Sequence, residues 1–172
     1  TKVMYYLISF LILFVSFCFA DLNRPASGEL INYIHVVFDW DQEPVANSYQ
    51  LELSKNIVFN DSSLIINEVR TTYVEQNYID WSQKYFWRVR PIYSENNHGS
   101  WMGPDSFTTA QAELGPFNST LYQPELVQNG LTVFGNDWPL STIVFDLQGR
   151  EVWNDGDNNF LQNYPGNSTC RN

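Results

Sequence analysis

The stretch KYFWRVRPIY, residues 84 to 93, reads as a long β-strand with one buried face. Tyr85, Trp87 and Val89 recur at a period of two and point toward a core, while Arg88 and Arg90 point the other way, toward water. Working outward, SYQLELS (48–54) repeats the period with Tyr49, Leu51 and Leu53 on one side. In YIHVVFDW (33–40), Ile34, Val36, Phe38 and Trp40 share the buried face, and Tyr33, His35, Val37 and Asp39 share the polar one. SLIINEV (63–69), TTYVEQNYI (71–79) and DSFTT (105–109) complete the set. Turn signals separate these runs at Gln42-Glu43-Pro44, Asn60-Asp61-Ser62, Asn96-Asn97-His98-Gly99 and Gly103-Pro104. Short strands at this spacing predict an all-β sandwich over residues 21–110, and no helical period competes. The strand pattern is complete between Asp21 and about Thr109, so this stretch is expected to fold alone.

The order of those residues resembles a fibronectin type III domain. Trp40, then Pro44, Ala46 and Tyr49-x-Leu51-x-Leu53-Ser54, are similar to its B–C region. Ile79, six residues before Tyr85-x-Trp87-Arg88-Val89-Arg90, is similar to its tyrosine corner and F strand. Gly99 to Trp101 and Ser106-Phe107-Thr108-Thr109 resemble the F–G turn and G strand. The resemblance implies a β-sandwich whose core holds Trp40, Tyr49, Tyr85, Trp87 and Val89, and a role as a spacer or binding module.

Ahead of the sandwich, Lys2 and Val3 lead into an uncharged apolar run, MYYLISFLILFVSFCFA (4–20). A basic start, an apolar stretch of this length and small residues at Cys18 and Ala20 describe a signal peptide over residues 1–20, cleaved before Asp21. A retained anchor is the alternative, but DLNRPASGE (21–29) has no stop-transfer cluster of Lys or Arg. The expected location is therefore exported: periplasmic, cell-surface or extracellular, with no membrane span once the signal is cleaved. Cys170 is then the single cysteine of these residues, and packing rather than a disulfide carries stability.

Beyond a linker at 111–116, residues 117–172 show three further strands. GLTVFG (130–135) is one, and STIVFDLQGREVWN (141–154) is a hairpin around Asp146-Leu147-Gln148-Gly149, where Gly149 supplies the left-handed position of the turn. A strand followed by a hairpin reads as part of a β-propeller blade. Three strands offer too little surface to cover both faces of a sheet, so the segment is expected to be mobile or aggregation-prone in isolation, or to lean on the sandwich through its linker. Gly130, Thr132, Phe134, Ser141, Thr142, Ile143, Asp146, Gly149 and Trp153 resemble the first blade of the arylsulfotransferase (aryl-sulfate sulfotransferase) family. That resemblance implies a longer parent enzyme whose catalytic histidines lie on later blades, and no residue here matches them. Val144 to Val152 also resembles the C-terminal sorting domain of the Bacteroidetes type IX export pathway. Those domains close on a Lys-rich strand, where this chain has NYPGNSTCRN.

Nine basic residues stand against nineteen acidic ones, a formal net charge of −10. This excludes a phosphate-binding surface of clustered Lys and Arg, and with it a nucleic-acid partner. The expected partner class is a carbohydrate or a protein bound through the sandwich. His35 and His98 have no evident catalytic partner in the sequence, so no catalytic, cofactor-binding or metal-binding residue is assigned and no cofactor is expected. Trp101 offers either a sugar-stacking face or a cover over the sandwich edge, and the second is the reading adopted. Asp155-Gly156-Asp157-Asn158-Asn159 alternates oxygen ligands but places its glycine too early for a calcium loop, so it reads as a solvated turn. Sequons at Asn60, Asn118 and Asn167 matter only in a glycosylating host. Two function classes remain: the non-catalytic front of an exported sulfotransferase-like protein, or an adhesion or substrate-binding module.

Overall fold

The computed structural model describes residues 20–60, 63–114, 130–137 and 140–156. Residues 1–19 of the expected signal peptide, residues 115–129 including Asn118, residues 157–159 of the acidic turn, Asn167 and Cys170 lie outside the described residues.

The strands are β1 (Leu22–Arg24), β2 (Glu29–Ile31), β3 (Val36–Trp40), β4 (Ser48–Ser54), β5 (Leu64–Glu68), β6 (Thr72–Glu75), β7 (Lys84–Ser94), β8 (Asn97–His98), β9 (Met102–Thr109), β10 (Thr132–Asp137), β11 (Leu140–Phe145) and β12 (Glu151–Asn154). Among the described residues there is no helix. One sheet runs β1-β3-β6, and a second runs β2-β9-β7-β4-β5 with β8 attached to β7. All pairings in these two sheets are antiparallel except β2 with β9. Three strands facing four in this crossed-over order, with β2 added beside β9, form a fibronectin type III-like sandwich.

Alternation explains the core. Val36, Phe38 and Trp40 of β3 are buried against Tyr49, Leu51 and Leu53 of β4 and Tyr85, Trp87 and Val89 of β7. The rings meet edge-on across the sandwich: Phe38 to Trp87 at 5.1 Å between centroids, Phe38 to Phe107 at 5.9 Å, and Trp40 to Tyr49 at 5.6 Å. Tyr85 forms the tyrosine corner. Its hydroxyl accepts from the backbone N–H of Asp80 at 2.8 Å and donates to the carbonyl of Tyr78 at 3.3 Å, pinning the turn before β7. At Gly103 the chain takes φ +88° where β9 shifts register against β7. That φ strains any side chain, and a Cβ there would also press on the Asp105 backbone nitrogen at 3.0 Å and the Trp87 carbonyl oxygen at 3.2 Å, so the position calls for glycine.

Three local expectations are corrected. Tyr33 to Trp40 is not one strand: the chain bends at Ile34–His35 and β3 begins at Val36. The turn after β7 falls at Glu95–Asn96, which lets Asn97 and His98 pair back onto β7. Arg88 and Arg90 do not simply face water. Both are half-buried, because aromatic rings from neighbouring loops lie over them.

The strands of the C-terminal segment form an antiparallel sheet in the order β10-β11-β12. Gly149 holds the hairpin turn at φ +78°. This sheet leans on the sandwich through β12. Tyr33 bridges Trp153, the Ile34 N–H donates to the Val152 carbonyl, and the Asn154 N–H donates to the Asn32 carbonyl. Val152 belongs to the same apolar core as Ile34, Trp40 and Trp87. Val133 and Phe134 of the outer strand β10, and Leu131 just before it, are exposed.

Candidate functional site

Docking of β12 creates a polar cleft of about 390 Å3 between the sandwich and the β11–β12 turn. The sandwich contributes His35, from the bend before β3, and Gln76 and Asn77, from the loop after β6. The other wall is the hairpin turn, with Asp146, Gln148 and Arg150, and Leu131 stands at the entrance to β10.

Arg150 organises the cleft. Its Nε donates to Asp146 Oδ2 at 3.0 Å, an ion pair across the hairpin turn. Asp146 Oδ1 in turn accepts the backbone N–H groups of Gln148 and Arg150. Arg150 Nη2 reaches across to the Gln76 carbonyl and lies 3.4 Å from His35 Nε2. Since a guanidinium can only donate, this contact requires that His35 Nε2 be the unprotonated nitrogen. Burial lowers the His35 pKa below 6.5, and Arg150 lowers it further, against smaller opposing contributions from Asp146 and Glu75.

The linkage has a definite sign. A histidine whose folded pKa is depressed stabilises the fold above its unfolded value near 6.5, and that contribution is lost as pH falls through the folded value. Thermal stability is therefore expected to fall between about pH 7 and about pH 5 more in the native chain than in His35→Gln. Equal pH slopes in the two proteins would remove His35 from the junction's energetics.

Deeper in the junction, Glu151 is 1% exposed. Its carboxylate accepts the backbone N–H groups of Glu113 and Leu114, each at 2.9 Å, and the Asn154 side-chain amide at 2.7 Å. The Glu151 carbonyl accepts Trp81 Nε1 at 2.8 Å, and Asn154 Nδ2 also donates to the Gln111 carbonyl. The residues read as the start of a linker, 111–114, are thus held by β12.

A second feature lies on the outer face of β7. The Arg88 guanidinium is stacked between Phe59 and Trp101, at 4.1 and 4.2 Å from their centroids, and is ion-paired with Glu52 at 2.6 Å. Trp101 also covers Arg90, at 4.6 Å, whose Nε donates to Gln50 Oε1. Trp101 therefore packs on two cations on the outer face of the central strand β7, a cover for the sheet face rather than for the sandwich edge.

His98 sits exposed in β8, far in sequence from any group placed at the cleft. Among the described residues no group of three His, Cys, Asp or Glu side chains could hold a metal ion. Asp155 of the acidic turn accepts the Thr142 N–H through Oδ2, a strand-end contact. Reading by sequence missed Arg150, Glu151, Gln76, Asn77 and Gln148. The contacts that bring Arg150, Glu151 and Gln76 together span 37 to 115 residues, and no spacing rule reaches that far.

No protein-family model matches this sequence, and no curated protein matches it. Among solved structures it is similar to "The crystal structure of a Fn3-like protein from Clostridium thermocellum", at 17% identity, with a TM-score of 0.39, covering 51% of this chain and 92% of that one. Strands β1 to β9 form a fibronectin type III-like β-sandwich, as their strand order and tyrosine corner define it.

Proposed function

We propose that this chain is a non-catalytic module of an exported protein, a rigid spacer and recognition platform for the chain attached to it. The observation that carries this reading is the docked β12. Val152 enters the sandwich core, and Glu151 ties residues 113 and 114 to the hairpin, so the β10–β12 sheet is held at a set orientation. A flexible linker would leave the same sheet free to reorient. In this reading the parent is an arylsulfotransferase-like protein and β10–β12 begins its propeller. An adhesion or substrate-binding protein is the second reading, favoured by the open polar cleft at the junction.

Backbone 15N relaxation tests the docking. Amides around Trp87 and around Ile143 are expected to report one rotational correlation time, and separate tumbling would defeat the rigid-spacer reading. The chain is also expected to transfer no sulfuryl group from an aryl sulfate to a phenol. Its cleft histidine has its side-chain contact with a guanidinium, and no Ser, Thr, Cys or Lys lines the cleft among the described residues. Transfer above background that disappears in His35→Ala or His98→Ala would refute the non-catalytic assignment.

A further inference from the structure

We propose that the junction cleft is a binding site for a neutral glycosyl unit. The proposal rests on the reading of the chain as a docked, non-catalytic recognition module, and adds the ligand class to it. At about 390 Å3 the cleft falls within the usual range for small-ligand sites, roughly 300–1,000 Å3.

Its chemistry selects against charge. The Arg150 guanidinium is already compensated by Asp146 at 3.0 Å, and His35 is held neutral beside it. An anion entering here would meet a paired cation and an overall field set by a net charge of −10. A cation would have to break the same pair.

The hydrogen-bonding capacity that remains is neutral and abundant. Gln76, Asn77 and Gln148 line the cleft, and each is tied into the fold through its backbone: the Gln76 carbonyl to Arg150, the Asn77 N–H to Glu75, the Gln148 N–H to Asp146. Their side-chain amides have no hydrogen-bond partner among the described residues. Each amide offers one acceptor and two donors on adjacent atoms, which matches the paired donor and acceptor character of vicinal hydroxyls. Leu131, 56% exposed at the rim, supplies apolar surface for the C–H face of a sugar ring. Three exposed amides lining one concave surface, with the local charge cancelled, describe a site for a polyhydroxylated, uncharged ring.

The walls come from opposite sides of the junction: Gln76 and Asn77 from the sandwich, Gln148 and Leu131 from the β10–β12 sheet. A ligand that spans them binds only the docked arrangement, so it stabilises docking by mass action. Glycan recognition and the rigid orientation of the attached sheet are then one equilibrium.

The test is an NMR titration of the full chain with the methyl glycosides of glucose, galactose, mannose and N-acetylglucosamine, and with methyl glucuronide as the charged control. At least one neutral glycoside is expected to shift the side-chain NH2 signals of Gln76, Asn77 and Gln148. The doubly substituted Asn77→Ala, Gln148→Ala chain is expected to lose at least tenfold in affinity while its core amides around Trp87 keep their positions. The same glycoside should raise the unfolding temperature of the full chain. No shift at those three amides with any neutral glycoside would overturn the proposal, as would tighter binding of the glucuronide or shifts confined to Trp101 and its neighbours on β7. Common tumbling of the two parts without such shifts would sink the ligand assignment alone. Separate tumbling would remove the cleft, and the docked-module reading with it.

Discussion

Replacing Trp87 with alanine is expected to lower the unfolding free energy by about 4 kcal/mol. Trp87 has no exposed surface, meets Phe38 edge-on at 5.1 Å, and lies on the central strand of the larger sheet, between β4 and β9. The truncation leaves a void that strands on both sides hold open, so the loss includes a cavity contribution as well as the transfer of the ring. For a domain of this size that corresponds to a fall of roughly 15–30 °C in Tm. Trp87→Phe should lose only about 2 kcal/mol. The indole N–H has no hydrogen-bond partner among the described residues, so its removal leaves no acceptor there orphaned. Thermal denaturation followed by circular dichroism checks both, and equal losses in the two variants would overturn the cavity account.

Glu151→Ala is expected to destabilise the junction by about 3 kcal/mol, because three donors lose a charged acceptor at once. The effect should be local in its first expression. Amide hydrogen exchange at Ile34 and Asn154, whose N–H groups bond across the junction, should accelerate well before exchange in β7. A companion chain ending at residue 114 lacks Val152, and so leaves Ile34 and Trp81 without their cover from β12. It should still unfold cooperatively, at a lower temperature than the full chain. If Glu151→Ala accelerated exchange uniformly across both sheets, the junction would not be a separate unit of stability. If the shortened chain matched the full one in Tm, β12 would contribute nothing to the sandwich.

The buried set of the sandwich was legible because a strand needs only a period of two to announce its faces. Tyr49, Leu51, Leu53, Tyr85, Trp87 and Val89 all turn inward as their alternation requires. The hairpin around Gly149 was legible for a similarly local reason, the demand for positive φ in a short turn. Alternation was less informative about Arg88 and Arg90. It assigned them correctly to the outer face, but the rings that cover them come from Phe59 and Trp101, on other loops, and period says nothing of what arrives overhead.

The cleft was not legible at all. Arg150 meets His35 and the Gln76 carbonyl across 115 and 74 residues of chain, and Trp81 meets the Glu151 carbonyl across 70. Each of these residues alone is an ordinary polar position on a strand end or turn. By itself the sequence determined what short-range sterics and alternation can encode: an all-β chain, the inward face of each sandwich strand, and the turn that closes the last hairpin. Tertiary structure alone decided that β12 docks on the bend at residues 32–34, that Glu151 is buried there, and that a neutral polar cleft opens beside it. Those outcomes depend on which distant backbone donors and acceptors remain unpaired after the sheets form, and only the assembled fold sets that.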